Sequence, residues 1–579
     1  MTNNLDLRPL WAAQTIAVVG ATERVGAIGR LPIEYLTKFG FEGFIAPVNP
    51  KGGTIFGLPA FQSMAEIPQH IELALIMVPA SSVREAVRDC AAAGVEVAIV
   101  MSSGFGEVDQ DGQVAQQELV DIARAAGMRL VGPNCIGSVG GAHRVMATFS
   151  PVFSSESTPL PEGNIALVSQ SGALGFGALS LGLERGVPIG IAITTGNEAD
   201  VTATEVAAQL AQDPEVDAVV MYVESLGNMD QLIRVAGSKP IAILKAGRSV
   251  AGAAAAASHT GALASPDKVV SAVLAQNRIA RANNIDELLD IAALFASETK
   301  IAGPAVGIVT TSGGSGILAV DALESEGLAL AELGTETVTA LEEIVPSYGN
   351  ATNPVDVTAA VMAESGLFER CVNRLSTDPS VNAIVACFAV LVGKDVDRIA
   401  QALGAVREST GLPVVAVRTG AAALAPEGAQ VLKEAGIPVY PTPERAVAAL
   451  RALVTINSPE RKDLAPSTHP RIPGPQPGAS EKDLKELLAH AGLPIPESLV
   501  VTSGSDAVGA VGAVGGRAVF KAVVPGLLHK SDAGGVVLDV NAEKALDTFA
   551  RLQALGGDVL VERFVPGGVE VLVGVSSSP

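Results

Sequence analysis

The chain has 579 residues, room for several domains, with 48% hydrophobic, 3% aromatic and a net charge of −22. That acidity argues against nucleic-acid and anionic-membrane partners, and the shortage of aromatics argues against base-stacking surfaces. Abundant Gly and Ala beside Val- and Ile-rich runs suit α/β layers built on parallel sheets. The four cysteines, Cys90, Cys135, Cys371 and Cys387, form no CxxC pair, so no disulfide framework or metal site is expected and a reducing, cytoplasmic setting fits. The N-terminus lacks a basic-then-apolar leader, and no apolar run is long enough to span a bilayer.

The first predicted element is a β-branched strand, Thr15 to Val19. It runs into the glycine-bearing turn Gly20 to Gly26 and then a helical segment with an early Pro32. Glycines there let backbone N–H groups approach a phosphate at a helix N-terminus, although the turn is not a full G-x-G-x-x-G fingerprint. Further strands are predicted over 43–48, 73–78, 95–101 and 129–131. Their loops are Asn49-Pro50-Lys51-Gly52, Pro79 to Ser82, Ser102 to Gly106 and Gly132 to Gly137. In a parallel sheet these loops converge at the carboxyl edge, which suits a nucleotide-like ligand. A nicotinamide-dependent dehydrogenase is a rival reading of this segment. It is disfavoured because the strand end about twenty residues past Gly26 reads Val48-Asn49-Pro50-Lys51 and carries no acid.

The middle of the chain repeats itself. Val168-Ser169-Gln170-Ser171-Gly172 matches Val309-Thr310-Thr311-Ser312-Gly313, each after a predicted strand and each opening a helix. Asp213-Pro214 and the strand after it match Asp378-Pro379 and theirs. Each copy then adds a strand behind a proline, Pro240 or Pro413. Two flavodoxin-like units follow from this, and their S-G helix starts offer backbone donors and positive dipole ends to a phosphoryl group.

The copies differ where chemistry is carried. Counting from the D-P pair, Glu224 of Met221-Tyr222-Val223-Glu224-Ser225 falls on Ala389 of Ala386-Cys387-Phe388-Ala389-Val390. Only the first copy has a histidine behind its last strand. His259 lies in Ala257-Ser258-His259-Thr260-Gly261-Ala262-Leu263-Ala264, after a strand over 241–244 and the turn Lys245 to Arg248. The neighbouring side chains are too small to bury an imidazole, so the ring reads as a nucleophile or carrier. A carboxylate on one ring nitrogen would fix the tautomer and leave the other nitrogen nucleophilic.

A Pro-rich linker, 458–480, holds Pro470, Pro473, Pro475 and Pro477. Beyond it come an amphipathic helix over 481–491, strands over 518–521, 536–540 and 558–562, the stretch Leu528 to Gly535, and Pro566 to Gly574. A strand lysine with a glycine-bearing loop is a candidate triphosphate clamp, although no GxxxxGK[ST] occurs.

Three stretches together carry a family resemblance: Ser258-His259-Thr260-Gly261-Ala262-Leu263-Ala264, Gly132-Pro133-Asn134-Cys135-Ile136-Gly137, and His529-Lys530-Ser531-Asp532-Ala533-Gly534-Gly535-Val536. Over nearly its whole length the chain resembles the NDP-forming acyl-CoA synthetases, relatives of succinyl-CoA synthetase with both subunits' parts fused. The resemblance implies an α/β protein with a Rossmann-like CoA-binding domain over 1–150. Flavodoxin-like ligase domains would follow over 160–300 and 301–457, then the linker 458–480 and the first part of an ATP-grasp domain over 481–579.

It implies His259 as a phosphohistidine with Glu224 as its partner, and Ser171, Gly172, Ser312 and Gly313 as phosphate-binding helix starts. Thr22, Glu23, Arg24, Val25, Lys51, Ser102, Ser103 and Gly104 would contact CoA, and Phe176 the acid substrate. Lys521, His529, Lys530, Glu562 and Glu570 would contact the nucleotide. The implied reaction is carboxylate + CoA + ATP ⇌ acyl-CoA + ADP + phosphate, through an acyl phosphate. Mg²⁺ would be held by acidic ligands that the family places beyond Pro579. The partner is a small carboxylic acid, with neither nucleic acid nor membrane, and a homo-oligomer is compatible. The alternative is a non-catalytic CoA-binding or regulatory protein.

Overall fold

The Thr15–Val19 run forms strand β1, buried from Ile16 onward, because a strand covered on both faces needs an unbroken apolar run. Around it lie β2 (Phe44–Val48), β3 (Leu73–Ile76), β4 (Val97–Val100) and β5 (Arg129–Val131), all parallel, in the order β2-β1-β3-β4-β5. The helix after β1, α1 (Leu31–Lys38), takes Pro32 in its first turn, where a missing N–H leaves no bond unmade. This computed structural model describes residues 6–260, 266–297, 300–364, 366–389, 394–420, 426–459, 481–524, 531 and 533–567.

β6 (Gly137–Gly140) and β7 (Val145–Thr148) form a hairpin within the 1–150 segment, yet they join the second sheet. That sheet contains β8 (Ile165–Ser169), β9 (Ile189–Thr194), β10 (Ala218–Val223), β11 (Ile241–Lys245) and β12 (Ala280–Ala282). Its order is β12-β11-β10-β8-β9-β6-β7, with β6 antiparallel to β9. α2 (Gly172–Arg185) follows β8. α3 (Val250–Thr260) follows β11 and contains His259 in its last turn. The sequence reading treats this run only as a small-residue setting. Five consecutive alanines, the strongest helix formers, make it helical.

The third sheet repeats the second. β13 (Ala305–Thr310), β14 (Ala329–Leu330), β16 (Ala383–Ala389), β17 (Val414–Thr419) and β18 (Val439–Tyr440) run in the order β14-β13-β16-β17-β18, and β15 (Val355–Asp356) also pairs with β13. The helix after β13 is α4 (Gly313–Ser325). The repeat extends to single hydrogen bonds. Ser169 Oγ donates to the Ser171 carbonyl at 2.7 Å, and Thr310 Oγ1 donates to the Ser312 carbonyl at 2.7 Å. Asp213 accepts from the Glu215 N–H, as Asp378 accepts from that of Ser380, both at 2.9 Å.

These three sheets belong to one compact unit that runs up to Glu460, and a second unit begins at Arg461. The second unit contains α5 (Glu481–His490), β19 (Ser498–Val501), α6 (Gly504–Ala513), β20 (Ala518–Val523), β21 (Val536–Val540), α7 (Ala542–Gln553) and β22 (Asp558–Arg563). Its sheet is antiparallel, β19-β22-β20-β21, over a core with Phe520 and Phe549. All four cysteines are free and buried, and burial pushes each thiol up to about 12, which removes them as nucleophiles. Among the described residues, no helix is long and apolar enough to cross a membrane.

Candidate active site

A cleft of about 500 Å³ opens at the carboxyl edge of the second sheet. Its floor is the start of α2: Gln170, Ser171 and Gly172 line it, and the Ser171 hydroxyl caps the helix by accepting from the Leu174 N–H. Glu224 and Ser225, just past β10, form one wall. The other wall comes from loops after β4 and β5, through Gly106, Glu107, Asn134 and Ile136.

The loop after β9 closes the cleft and ties the first two sheets together. Asn197 N–H donates to the Pro133 carbonyl at 2.9 Å, and Val201 N–H to that of Leu130 at 3.2 Å. Gly196 must be glycine: its φ is +58°, and a Cβ there would meet the Pro133 oxygen at 2.4 Å. The buried Asp200 accepts from Arg129 Nε at 3.0 Å, Arg124 Nε at 2.9 Å and the Leu130 N–H at 2.9 Å. Burial works against that carboxylate's charge, but these donors outweigh it and hold its pKa below the usual range.

Within the cleft, Asn197 Nδ2 donates to Glu107 Oε2 at 2.5 Å and to Gln116 Oε1 at 3.0 Å. Glu198, at φ +54°, accepts from the Thr195 hydroxyl at 2.8 Å, the Ala203 N–H at 2.7 Å and Gln170 Nε2 at 2.8 Å. Burial raises the pKa of Glu198 in spite of those three bonds. Near Glu224, burial and then the Glu224 charge push the Tyr222 phenol to about 12. Lys245, 4% exposed, ends β11 beside Val223 and donates to the Ala246 carbonyl at 2.6 Å. Burial, reinforced by Arg281, lowers its pKa, and Asp267 and Glu224 oppose that shift.

The expected CoA residues gather at the carboxyl edge of the first sheet. Thr22 to Val25 follow β1, with Thr22 Oγ1 accepting from the Arg24 N–H at 3.2 Å and Val25 85% exposed. Glu23 instead accepts from the Phe56 N–H and so braces the turn. Lys51 is exposed, its own N–H held by Asn49 Oδ1 at 2.9 Å, and Asn49 Nδ2 reaches the Ala21 carbonyl at 2.8 Å. Ser102 donates to the Val78 carbonyl at 2.5 Å, Ser103 is exposed, and the Gly104 N–H is occupied by Glu107 Oε1 at 2.5 Å.

Other expected residues fall elsewhere. Ser312 and Gly313 start the matched helix α4 and are not among the residues that line this cleft. Phe176 is 2% exposed, stacks edge-on against Phe153 with ring centroids 6.3 Å apart, and sits in the core. One turn into α2, its side chain lies on the packed face of the helix. The side chain of His259 lies outside the described residues, as do His529, Lys530 and Glu570. In the second unit Lys521 Nζ donates to Glu481 Oε1 and to the buried Glu562 Oε2, both at 2.8 Å, and Lys485 bonds Glu562 as well. Burial disfavours the Lys521 charge, but the hydrogen bonds from Glu481 and Glu562 prevail and raise its pKa.

Comparison with known proteins fits this layout. A CoA binding domain model matches residues 14–141 and a succinyl-CoA ligase like flavodoxin domain 162–295; a ligase-CoA domain matches 306–457 and an ATP-grasp domain 478–579. The chain is 32% identical to acetate–CoA ligase [ADP-forming] I of Archaeoglobus fulgidus, over 98% of this chain and 84% of that one. The chain belongs to the ADP-forming acyl-CoA synthetase family. It is also 28% identical to 4-hydroxybutyrate–CoA ligase [ADP-forming] of Nitrosopumilus maritimus, over 99% of this chain and 85% of that one. Among solved structures, a dinucleotide forming acetyl-coenzyme A synthetase 1 of Ca. Korarchaeum cryptofilum, in complex with phosphate and ADP, aligns with a TM-score of 0.71. That match has 29% identity and covers 78% of this chain and 97% of the other. The activity class of the family is carboxylate–CoA ligation, the acid–thiol ligase chemistry expected from the sequence.

For this ADP-forming synthetase the sequence reading missed Gln170, Asn197, Glu198 and Glu107, all of which line the cleft. For Asn197 and Glu198 the available signal was the run Thr195-Gly196-Asn197-Glu198-Ala199-Asp200 directly after an apolar strand, a loop chemistry typical of a sheet's carboxyl edge.

Proposed function

We propose that this chain joins a small carboxylic acid to CoA through a phosphohistidine at His259, with Glu224 as the carboxylate that orients and stabilises that ring. The observation that carries this is the setting of Glu224. It stands at a strand end in a cleft whose floor is a serine-capped helix start, in the one repeat copy that has a histidine. The N–H groups at Ser171–Gly172 and the dipole of α2 favour a phosphoryl group there.

In the synthetic direction a phosphoryl group moves from ATP to His259 and then to the substrate carboxylate, and the CoA thiolate displaces phosphate from the acyl phosphate. Thioester and phosphoanhydride lie at similar energy, so concentrations set the direction. Thr22 to Val25 and Lys51 bind the CoA phosphates in this reading, and Ser102 to Gly104 shape the neighbouring loop. Lys521 and Glu562 serve the nucleotide, and Mg²⁺ enters with ATP as part of the substrate. The polar cleft lining does not select among acids, and acetate and 4-hydroxybutyrate are the first to test. The domain division 1–150, 160–300, 301–457 and 481–579, around the linker 458–480, is part of this proposal.

The reverse half-reaction tests it without the nucleotide. The protein is incubated with acetyl-CoA or 4-hydroxybutyryl-CoA and radiolabelled phosphate. Free CoA thiol and an acid-labile, base-stable protein label are expected. CoA binding by calorimetry with neither thiol release nor label would support the non-catalytic reading instead.

A further inference from the structure

We propose that Gln170, braced by Glu198, is the positioning residue that sets Glu224 for its work on the phosphorylated imidazole; this rests on the function proposed above. The amide of Gln170 is fully used. Its Oε1 accepts the N–H of Glu224 at 2.5 Å and of Ser225 at 3.0 Å. Its Nε2 donates to Glu198 Oε2 and to the Ser225 carbonyl, both at 2.8 Å. Two acceptor sites meet two N–H groups and two donors meet two oxygens, so a flipped amide would oppose like with like at every contact. The Glu224–Ser225 backbone is thereby pinned to the first residue after β8, at the threshold of the α2 helix start.

Glu198 fixes the other end of the amide. Its carboxylate is anchored by Thr195 and Ala203, and its backbone stays in the left-handed region at φ +54°. A non-glycine residue persists there only where its surroundings over-determine it. The brace therefore runs from the loop after β9, through Glu198 and Gln170, to Glu224.

The internal repeat acts as a control. In the second copy Glu224 is replaced by Ala389, and the residue matched to Gln170 is Thr311. The backbone contact at that point is the same in both copies. Gln170 N–H donates to the Tyr222 carbonyl and Thr311 N–H to the Cys387 carbonyl, each at 3.0 Å. The fold of the unit is thus made with threonine at this position. The glutamine amide accompanies the carboxylate and not the architecture.

The test is the rate of His259 phosphorylation from inorganic phosphate and whichever of acetyl-CoA and 4-hydroxybutyryl-CoA labels the wild type. It is measured by rapid quench in Gln170→Thr, Glu224→Gln and the double variant, with CoA affinity by calorimetry and thermal melts alongside. Gln170→Thr should slow labelling roughly tenfold or more, the scale of a misplaced catalytic group, at unchanged CoA affinity. The double variant should be no slower than Glu224→Gln alone, since Gln170 acts through Glu224. Gln170→Thr labelling at the wild-type rate, or a double variant whose losses multiply, overturns the inference. If Gln170→Thr melts early, Glu198→Gln carries the test with the same expected slowing, and a wild-type rate there overturns it. A wild type that takes no label overturns the function proposal and this inference together, whereas a labelled wild type with unaffected variants overturns this inference alone.

Discussion

Asp200→Asn should lower the melting temperature of the first unit by about 6 °C at neutral pH, and the deficit should shrink in acid. Asp200 is 7% exposed and accepts from two arginines and one backbone N–H across the junction of the first two sheets. Breaking a buried ion pair from one side costs about 3–5 kcal/mol, because the partner charge stays buried. Arg129 keeps Glu205 at 2.8 Å, and asparagine keeps an oxygen for the Leu130 N–H, so the lower end, about 3 kcal/mol, applies. At about 2 °C per kcal/mol for a large domain, that is about 6 °C.

The pH dependence follows from the lowered carboxyl pKa of Asp200. Its stabilisation is complete above the unfolded value of about 3.9 and is lost as pH falls through the lower folded value. Calorimetric melts of both proteins from pH 8 down to pH 3 test this. A gap under about 2 °C at neutral pH, on the scale of an exposed ion pair, or one that stays constant into acid, would refute the reasoning.

Glu224→Gln should slow His259 phosphorylation by roughly 10²-fold, the scale of a lost electrostatic group, and rapid-quench labelling measures it. Ala389→Glu should add no activity and, since Ala389 is only half-buried, should lower the melting temperature modestly; a gain in labelling would contradict the asymmetry of the repeat. Lys51→Ala should weaken CoA about tenfold by calorimetry, the worth of one charge-assisted phosphate contact, and an unchanged affinity would move the site. Lys521→Met should weaken ADP by about tenfold or more on the same grounds, with a wild-type affinity counting against a nucleotide role for the β20 lysine.

The parallel sheets were legible because fully buried strands are continuous apolar runs, and Thr15–Val19, Ala305–Thr310 and their neighbours stand out between glycine and proline loops. The repeat was legible because two copies conserve the Ser-Gly start and the Asp-Pro turn, which the structure shows holding matched hydrogen bonds. The hairpin at 137–148 was not, since pairing with β9 is a long-range event with no local signature. Helix α3 is written in the helix propensity of its alanines, a stronger local fact than the small size that marks the run as accessible. Phe176 is placed by helix phase, which turns its ring onto the packed face of α2 beside Phe153. Glu198 is marked in the sequence only as part of a strand-end loop, and Gln170 only as a variable position of the repeated helix start. Their mutual geometry is what joins them to Glu224.

The central claim is that His259 carries the phosphoryl group. The direct measurement incubates the protein with acyl-CoA and radiolabelled phosphate, digests it, and maps the phosphate by mass spectrometry under alkaline conditions, in wild type and in His259→Ala. The expected result is one labelled peptide spanning Ser258-His259-Thr260 in the wild type and no label in the variant. Label that persists in His259→Ala, or that maps to another residue, would contradict it.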